Sequence, residues 1–499
     1  MKTVDELVST LKDLIDELRI IDSNKQIKSI SNNSQKTRPN FVFVAIKGSK
    51  SDGHDYIESA IASGAHTIIH ENSLNEYKND INYIKVKNSP AAYSKAVEMF
   101  FDYPAEKLKI IGVTGTNGKT TTAFLIEHLL NTLEDRCGII STVKYSSILT
   151  QIAAERTTPE AFALQQLFAQ MLEDGCKNVV MEVSSHALEQ KRIGNTLLNI
   201  AIFSNLSGDH LDYHINMENY YNAKKKMFLE HLKKNGKVIV NRDCEYGQKL
   251  LTELCNYEKP PQELISYGFN PDSDFVISNF ASNEHGSRFT LKINLTEEKF
   301  EVKSNLIGEY NALNLTAAII AVKNFGYNFE QLIKVVGEQK FVIPGRLESF
   351  SMHNGATIFV DYAHTDDALK NVLMVLRKIC NNKLSVVFGC GGDRDKTKRP
   401  RMGKVANQYS DKVFLTTDNP RSEDAHAIMN DIKEGIDDEC DLYEIEDREA
   451  AILAALNQGE AGDIILIAGK GHETYQIIGD ERIIFDDCKI VKKFIESQS

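Results

Sequence analysis

The sequence predicts an α/β fold of three domains: a small α/β domain at residues 1–105, a central parallel-sheet domain with a phosphate-binding loop at 106–340, and a Rossmann-like domain at 341–499. Three observations predict it. A chain of 499 residues exceeds what one hydrophobic core usually holds. Apolar runs alternate with segments of helical periodicity, as in parallel sheets. Several of these runs end in glycines and charged residues, the position at which open parallel sheets bind ligands.

Composition excludes several classes of protein. The net charge of -12 and the pI of about 5.6 argue against a basic surface for nucleic acid or anionic lipid. Eight cysteines without a CxxC pair favour reduced thiols over a zinc site or disulfides. No apolar run approaches the roughly 20 residues that span a bilayer, and the first 20 residues alternate acids with apolar residues like a surface helix. We predict a cytoplasmic monomer that binds no nucleic acid and does not insert into membranes.

The first domain contains two predicted strands, "FVFVAIKG" and "GAHTIIH", around a helix. Pro104, within "FFDYPAEKLK", marks a predicted linker to the central domain.

The central domain opens with "VTGTNGKTTT" at residues 113–122. An apolar run predicts a strand before it, and residues at helical spacing predict a helix after it: Leu108, Ile110, Ile111 and Val113, then Ala123, Ile126, Leu130 and Leu133. Glycines at such a turn let the N–H groups of the helix start approach a phosphate. Lys119 would neutralise the outer phosphates while the Thr120 hydroxyl ligates magnesium. The spacing departs from the usual phosphate loop, because Val113 occupies the place of its first glycine.

Two further strand ends in the central domain carry polar side chains. "NVVMEV" delivers Glu182, which is either a magnesium-binding carboxylate or a solvent-exposed glutamate. "NIAIF" opens into "SNLSGDHLDYH", which contains Asp209, His210, Asp212 and His214. This cluster has three interpretations: metal ligands, acid–base groups, or a turn that satisfies its own backbone.

A predicted helix, "NMENYYNAKKKMFLEHLKK", follows. Lys224 has Tyr220 and Phe228 one turn away on either side, but Lys225 has equivalent neighbours, so periodicity does not choose between them. A solvated lysine face is the other interpretation.

The last domain repeats one layout in four segments: "ATIFVDYAH", "LSVVFGCGGDRD", "KVFLTTDNPR" and "DIILIAGKGHE". Each is an apolar run that closes on glycines and charges, so we expect the four loops to share one rim of a sheet. "GCGGDR" suggests a dinucleotide fingerprint, but Arg394 occupies the place of the third glycine, whose absence of a side chain permits close helix packing. We therefore reject a nicotinamide site.

The same rim favours an amino-acid site. Its first loop offers an anion-binding cluster of Arg394, Lys396, Lys398, Arg399 and Arg401. Asn419 and Arg421 add an amide and a planar guanidinium suited to a carboxylate, and Glu473 is an acceptor for an ammonium group. Surface ion pairs are the alternative for each residue taken alone.

A nucleotide loop with magnesium and an amino-acid rim together suggest ATP-driven acylation of an amine. A carboxylate is a poor electrophile, and its phosphorylation by ATP provides a leaving group. The competing class is a nucleotide-binding regulator that hydrolyses ATP as a timer, in which the amino-acid rim has no role.

The sequence resembles the Mur ligases of peptidoglycan synthesis. The resemblance extends nearly end to end through "VTGTNGKTTT", "TTPE", "MEVSSHAL", "NLSGDHLDYH", "NALN", "PGRLE", "DYAH", "GCGGDRDKTKRP", "DNPR" and "GKGHE". The phosphate loop, "NALN" and "DYAH" are similar across the superfamily, which includes folylpolyglutamate synthetases. The last three motifs resemble the MurE type, which adds the third residue of the stem peptide.

The resemblance implies a role for each matching residue. The catalytic set comprises Lys119, Glu182, His210 and Lys224. The ATP set comprises Gly115, Thr116, Asn117, Gly118, Lys119, Thr120, Thr121, Asn314, Arg346 and Asp361. The magnesium ligands are Thr120, Glu182 and Lys224, the last as a carbamate. The set for the UDP-N-acetylmuramoyl-dipeptide comprises Ser34, Ser49, Thr157, Thr158, Ser184, Gln190 and Arg192. The set for the incoming amino acid comprises Arg394, Asn419, Pro420, Arg421, Gly469 and Glu473.

The resemblance also bears on which amino acid is added. In the family "DNPR" accompanies meso-diaminopimelate, whose distal carboxylate Arg421 would grip, whereas L-lysine has only an ammonium there. We expect diaminopimelate, with L-lysine as the alternative. One departure lies in the first domain, where Asn33, Ser34 and Gln35 replace the usual Asp-Ser-Arg near the uridine site.

Overall fold

A computed structural model describes residues 1–48 and 51–498. The described residues form two compact units: those within 1–119, 130–240 and 244–265 form the first, and those within 120–129, 241–243 and 266–499 form the second. Ser49, predicted to contact uridine, lies outside the described residues. Across the described part of the chain, no helix has both the length and the apolar character needed to cross a bilayer.

The first 107 residues contain a five-stranded sheet. Their elements are β1 (Lys2–Thr3), α1 (Val4–Leu11), β2 (Ile15–Arg19), β3 (Gln26–Ile27), β4 (Ser29–Ser31), β5 (Phe41–Val44), α2 (Ile57–Ala62), β6 (Ala65–His70), β7 (Asn82–Val86), α3 (Ser89–Phe100) and α4 (Pro104–Lys107). The sheet order is β2-β7-β6-β5-β4. The two predicted strands are β5 and β6, which pair in parallel with α2 between them in sequence, as predicted.

The N-terminal segment differs from the predicted single helix. The helix α1 begins with a capping box between Thr3 and Glu6 and ends at Leu11. Residues 15–19 then form β2, antiparallel to β7. Backbone pairing with a neighbouring strand satisfies more polar groups than an isolated helical turn, and it overrides the helical pattern. Pro104 also differs from the prediction, because it begins a four-residue helix and its side chain is buried.

Residues 109–268 surround the phosphate loop. Their elements are β8 (Lys109–Thr114), α5 (Lys119–Thr132), β9 (Cys137–Ile140), β10 (Lys144–Ser146), β11 (Gln151–Ala153), α6 (Ala161–Glu173), β12 (Asn178–Glu182), α7 (Ser185–Glu189), β13 (Leu198–Phe203), α8 (Leu211–His214), α9 (Met217–Glu230), β14 (Leu232–Asn241), α10 (Glu245–Cys255) and β15 (Glu263–Gly268). In the first unit β9, β12, β8, β13 and β14 are parallel neighbours in that order. The loop after β8 therefore lies between the ends of the two strands that deliver Glu182 and the histidine-rich segment.

The rest of the chain contains the antiparallel strands β16–β18, a second sheet that is mostly parallel, and the hairpin β25–β26. The elements after β15 are β16 (Phe275–Asn283), β17 (Gly286–Ile293), β18 (Lys299–Ser304), α11 (Glu309–Lys323), α12 (Phe329–Glu338), β19 (Glu348–Ser351), β20 (Thr357–Asp361), α13 (Asp366–Ile379), β21 (Leu384–Phe388), α14 (Lys398–Tyr409), β22 (Lys412–Leu415), α15 (Ala425–Lys433), β23 (Asp441–Glu444), α16 (Arg448–Asn457), β24 (Ile464–Ala468), β25 (Tyr475–Ile478), β26 (Glu481–Ile484) and α17 (Asp487–Ser497). The six-stranded order is β19-β20-β24-β21-β22-β23, with only β19 antiparallel.

This topology confirms the predicted shared rim. The four loops follow β20, β24, β21 and β22, which are adjacent parallel strands, so their carboxyl ends lie on one edge. Val386 and Val387, consecutive on β21, belong to two different buried clusters. Both faces of the sheet are therefore covered, as in a doubly wound fold.

Candidate functional site

The phosphate loop joins β8 to α5 through a backbone that requires glycine. Gly115 and Gly118 have φ of 148° and 86°. A Cβ on Gly115 would lie 2.0 Å from the Ser204 hydroxyl. No other residue fits Gly115 without moving the neighbouring strand end.

Two residues that sequence reasoning missed brace this loop. The Asn117 N–H donates to Asn205 Oδ1 at 2.9 Å, and Ser204 Oγ donates to the Asn117 carbonyl at 2.6 Å. The Thr116 N–H donates to the Asn205 carbonyl at 2.9 Å. Both bracing residues directly follow β13, so polar residues at the end of the adjacent strand were the available signal.

The two predicted lysines meet at one carbonyl. Lys119 Nζ lies 3.0 Å from the Gly115 oxygen and 2.8 Å from the Thr116 oxygen. Lys224 Nζ donates to the same Gly115 oxygen at 2.8 Å and lies 4.6 Å from the ring centroid of Tyr220. Burial, reinforced by the Lys119 ammonium, lowers the pKa of Lys224 well below its usual value.

The degree of burial also distinguishes Lys224 from Lys225. The Lys224 residue is 1% exposed, whereas the Lys225 side chain is 24% exposed and pairs with Glu253 at 3.1 Å. Periodicity did not show which of the two lysines lies on the apolar side of the helix. The structure shows that it is Lys224, which contacts the phosphate loop.

Glu182 is fully buried, which excludes the solvent-exposed interpretation. Its Oε1 accepts from the Thr142 N–H at 2.8 Å, and its Oε2 from the Thr142 hydroxyl at 3.2 Å. A carboxylate has about four acceptor positions, so each oxygen retains capacity for a further donor or a cation.

The two histidines of the histidine-rich segment, His210 and His214, lie in different environments. His210 has a left-handed φ of 54°, its N–H donates to Asp209 Oδ1 at 2.8 Å, and its ring lies 4.9 Å from that of His186. His214 is buried, with Nε2 2.9 Å from the Ser185 hydroxyl, which indicates a structural role. Among residues whose side chains are described, no group of three or more His, Cys, Asp or Glu is arranged to hold a metal; the side chain of Asp212 is not among them.

Four residues of the predicted muramoyl-peptide set lie together beside Glu182. Thr158 Oγ1 donates to the Glu182 carbonyl at 2.9 Å and lies 3.3 Å from Ser184 Oγ. Arg192 Nε donates to Gln190 Oε1 at 2.9 Å, and its Nη1 donates to the Thr158 carbonyl at 3.3 Å. Thr157, the fifth member, accepts a 3.1 Å hydrogen bond from Thr142, the partner of Glu182. Ser34 belongs to a separate three-residue turn after β4, where it is buried.

The second unit contains the remaining residues of the predicted ATP set: Thr120, Thr121, Asn314, Arg346 and Asp361. Arg346 Nη2 lies 3.5 Å from Thr120 Oγ1, and its guanidinium lies 4.8 Å from the ring centroid of Tyr362. Thr121, which follows Thr120 in the sequence, is also buried. A cavity of about 270 Å³ has Arg346 and Asn311 among its lining residues.

Asn314 and Asp361 are held by internal hydrogen bonds. Asn314 Oδ1 accepts from the Thr122 hydroxyl at 3.4 Å. Asp361 accepts from the N–H groups of Leu347 at 2.8 Å and Ala363 at 2.9 Å. Burial raises the pKa of Asp361, and the Arg346 guanidinium opposes that rise.

The predicted anion-binding cluster on the rim is mostly neutralised within the protein. Lys396 pairs with Glu423, Arg399 with Glu423 and Asp431, and Arg401 with Asp366, while Lys398 donates to the His364 carbonyl. Arg399 is 1% exposed, so it cannot reach a ligand. Arg394 is exposed and donates to the carbonyl of Asp393, which leaves it as the cluster residue available to a substrate.

The "DNPR" and "GKGHE" loops meet as predicted. Asn419 Nδ2 donates to Glu473 Oε2 at 3.1 Å. Gly469 has φ of 110°, and a Cβ there would lie 2.9 Å from Asp418 Oδ2. Pro420 is buried between Asn419 and Arg421.

The backbone and side chain of Arg421 are both fixed. Its φ of 53° is left-handed, and its Nη1 donates to the Gly392 carbonyl at 2.6 Å. Its N–H donates to the Ile477 carbonyl at 3.1 Å, and its own carbonyl accepts from Gly479 at 2.8 Å. The hairpin β25–β26 therefore holds this arginine at the rim.

Two buried cations behind these loops were missed from the sequence. Lys470 is fully buried between Asn419 and Glu473. Arg448 forms a fully buried pair with Asp487 and donates to the carbonyls of Thr417 at 3.3 Å and Ala468 at 3.0 Å. A lysine between two glycines was a signal for the first, whereas nothing in the local pattern marks the second.

The fold and site define an α/β protein with a phosphate loop on one parallel sheet and a polar rim on a second, doubly wound sheet. Three family descriptions match the chain: "Mur ligase family, catalytic domain" at residues 26–107, "Mur ligase middle domain" at 113–322, and "Mur ligase, glutamate ligase domain" at 345–471. The chain belongs to the Mur ligase family.

Similar proteins agree with this family. The UDP-N-acetylmuramoyl-L-alanyl-D-glutamate--2,6-diaminopimelate ligase of Fusobacterium nucleatum is 40% identical over 96% of both chains. That of Clostridium perfringens is 39% identical over 99% of this chain and all of its own. A solved structure of a ligase with the same name has a TM-score of 0.71 at 33% identity and covers 100% of this chain and 99% of its own. The MurF ligase of Thermotoga maritima in complex with ADP shares the fold, with a TM-score of 0.59, 19% identity, and coverage of 94% and 98%.

Proposed function

We infer that this protein is an ATP-dependent ligase of peptidoglycan synthesis that adds meso-diaminopimelate to UDP-N-acetylmuramoyl-L-alanyl-D-glutamate. The observation that carries this conclusion is 36–40% identity, over nearly the whole chain, to ligases named for that reaction. Arg421, fixed on the rim between two loops, supports the same amino acid.

The reaction forms an amide in two steps. A carboxylate oxygen of the dipeptide attacks the γ-phosphorus of ATP and ADP leaves. The amine of the amino acid, after losing a proton, then attacks the acyl carbon and inorganic phosphate leaves. The phosphate loop and the Lys119 ammonium bind and orient the nucleotide phosphates. Thr158, Ser184, Gln190 and Arg192 are proposed to position the dipeptide near Glu182.

We propose that Glu182 and Lys224, with Thr120 as predicted, hold Mg²⁺. Their chemistry fits, because a buried carboxylate retains acceptor capacity, and a lowered pKa gives Lys224 a larger fraction of neutral amine, the form that reacts with carbon dioxide. The carbamate, formed from the neutral amine and carbon dioxide with release of a proton, would supply an anionic oxygen ligand in place of the amine. The bound ion would neutralise charge on the phosphates. His210 remains a proposed catalytic residue of the same loop region.

The amino acid is proposed to bind with its distal carboxylate on Arg421 and an ammonium group on Glu473. A guanidinium matches the flat geometry of a carboxylate, and an ionised glutamate only accepts hydrogen bonds. Arg394, Asn419, Pro420 and Gly469 complete the proposed site, and L-lysine is the competing substrate.

We further propose domain bounds at 1–105, 106–340 and 341–499, and a monomeric cytoplasmic enzyme. Ser34 and Ser49 remain proposed uridine contacts, although Asn33 and Gln35 stand where the family has charged residues. Sedimentation of the purified chain would test the oligomeric state.

The test of function is phosphate release by the purified protein with ATP, Mg²⁺ and UDP-N-acetylmuramoyl-L-alanyl-D-glutamate. We expect release only when meso-diaminopimelate is added. Equal release with L-lysine would keep the ligase and contradict the specificity. Phosphate release that is independent of both amino acids would instead indicate a nucleotide-binding regulator that hydrolyses ATP as a timer.

A further inference from the structure

Lys470 is a fully buried cation in the loop after β24. Its Nζ donates to Asn419 Oδ1 at 3.1 Å and lies 3.2 Å from Glu473 Oε2. Burial of an ammonium is unfavourable unless it is paired and hydrogen-bonded. The fold therefore keeps a charge at a costly position, between two side chains that the proposed function assigns to the amino acid.

The contacts fix both partners of Lys470. Asn419 Oδ1 also accepts from the Ile477 N–H at 2.9 Å, and its Nδ2 donates to Glu473 Oε2 at 3.1 Å. Since Oδ1 takes two donors, the amide cannot flip without losing both. Glu473 Oε2 in turn accepts hydrogen bonds from both Lys470 Nζ and Asn419 Nδ2. Its other oxygen, Oε1, is left to accept from a ligand.

We propose that Lys470 is a positioning residue for the amino-acid substrate. It acts through Glu473, because it holds Oε2 in place and thereby presents Oε1 to the substrate ammonium. It also pairs with the Glu473 carboxylate, so that side chain is oriented before the substrate arrives. This inference rests on the proposed ligase function and adds a residue to its amino-acid site.

The test compares Lys470→Met with the wild-type enzyme in the phosphate-release assay, with each of the three substrates varied in turn. Loss of a charged hydrogen bond corresponds to about a 10- to 100-fold change. We expect the KM for diaminopimelate to rise by about that factor, with the KM for ATP and for the dipeptide nearly unchanged. Lys334→Met is the matched control, because the Lys334 side chain is 74% exposed on α12.

A double-mutant cycle separates positioning from simple loss of stability. If Lys470 acts through Glu473, then Lys470→Met should add little to the KM effect of Glu473→Gln. Additive effects, or equal KM increases for all three substrates, would overturn the proposal. If thermal melting shows that Lys470→Met is unfolded, Lys470→Gln retains a donor and should give a smaller KM increase confined to diaminopimelate. An inactive wild type would instead refute the proposed function.

Discussion

At the scale of single residues, burial decides the chemistry of Lys224. An exposed lysine is mostly protonated at neutral pH, and the ammonium form does not react with carbon dioxide. Burial and the adjacent Lys119 ammonium lower the pKa of Lys224, so a larger fraction is neutral amine. Lys225, one residue away and paired with Glu253, lacks this environment.

We therefore expect Lys224→Arg to lower kcat by about 10²- to 10³-fold, because arginine stays charged and forms no carbamate. Removal of dissolved carbon dioxide should inactivate the wild type, and bicarbonate should restore it, while Lys224→Arg does not respond. Lys225→Arg, the control, should behave as wild type. Carbamate formation needs the neutral amine, so reactivation should weaken as the pH falls. Wild-type activity that is independent of bicarbonate would contradict this role.

Arg421 is the second residue whose role can be isolated. Arg421→Lys keeps the charge but loses the fork that matches a carboxylate, so we expect kcat/KM for diaminopimelate to fall about 10- to 100-fold. Any turnover of L-lysine should change little, because lysine has no distal carboxylate. Lys404→Met controls for the loss of a surface charge, since Lys404 is exposed on α14 and has no proposed role in the site. Equal losses for the two amino acids would show that Arg421 only supports the fold.

At the scale of elements, residues that follow the ends of strands restrain the loops of both candidate sites. The end of β13 braces the phosphate loop through Ser204 and Asn205, and the loops after β21 and β22 are joined through Glu423. In each case residues distant in sequence restrain a loop whose own residues are small or polar.

Gly115→Ala tests the first restraint. The added Cβ would overlap Ser204 Oγ, and the φ of 148° disfavours any side chain. We expect destabilisation of about 1–3 kcal/mol and weaker nucleotide binding, measured by urea unfolding and calorimetric titration. Gly337→Ala is the matched control, because a Cβ there meets nothing within 4 Å, and it should stabilise α12 slightly. Nucleotide affinity that survives Gly115→Ala would mean that the loop does not need this backbone.

Glu423→Gln tests the second restraint through pH. Hydrogen bonds from Arg399 and Lys396 lower the pKa of Glu423 to about 2. A lowered pKa stabilises the folded state above the ordinary value of 4.5, and this stabilisation is lost as the pH falls towards 2. We expect Glu423→Gln to cost about 1–3 kcal/mol at neutral pH, with the difference from wild type shrinking below pH 4.5.

The control for this experiment is Glu434→Gln, at an exposed glutamate near the end of α15, with an expected effect within about 0.5 kcal/mol. A stability difference that stays constant from neutral pH to pH 3 would exclude an ionised Glu423 as its source.

At the scale of the whole molecule, the sequence predicts the structural features whose pattern recurs along the chain. Strand runs that close on glycines and charges correctly predicted the strand, loop and helix around residues 113–122 and the shared rim, because parallel strands place their ends on one edge. It did not predict how charges pair. Arg399 is indistinguishable from a surface cation in the sequence, and the glycines that flank Lys470 do not show what it pairs with. Only the fold shows that both residues are buried. The strand at residues 15–19 was missed because its partner lies far along the chain.

The nucleotide and the amino acid should stabilise the chain separately, because Lys119 and Arg421, which are proposed to bind them, follow strands of different sheets. A ligand at about 100 times its dissociation constant adds roughly 2.7 kcal/mol to the free energy of unfolding. We expect that increase for the wild type with Mg²⁺ and a non-hydrolysable ATP analogue, measured by urea unfolding. Lys119→Ala should lose most of it, because the outer phosphates lose their cation, while Arg421→Lys should retain it in full. If Lys119→Ala and wild type gained equally from the analogue, Lys119 would not bind phosphate, and the loop at residues 115–119 would have to act through its backbone alone.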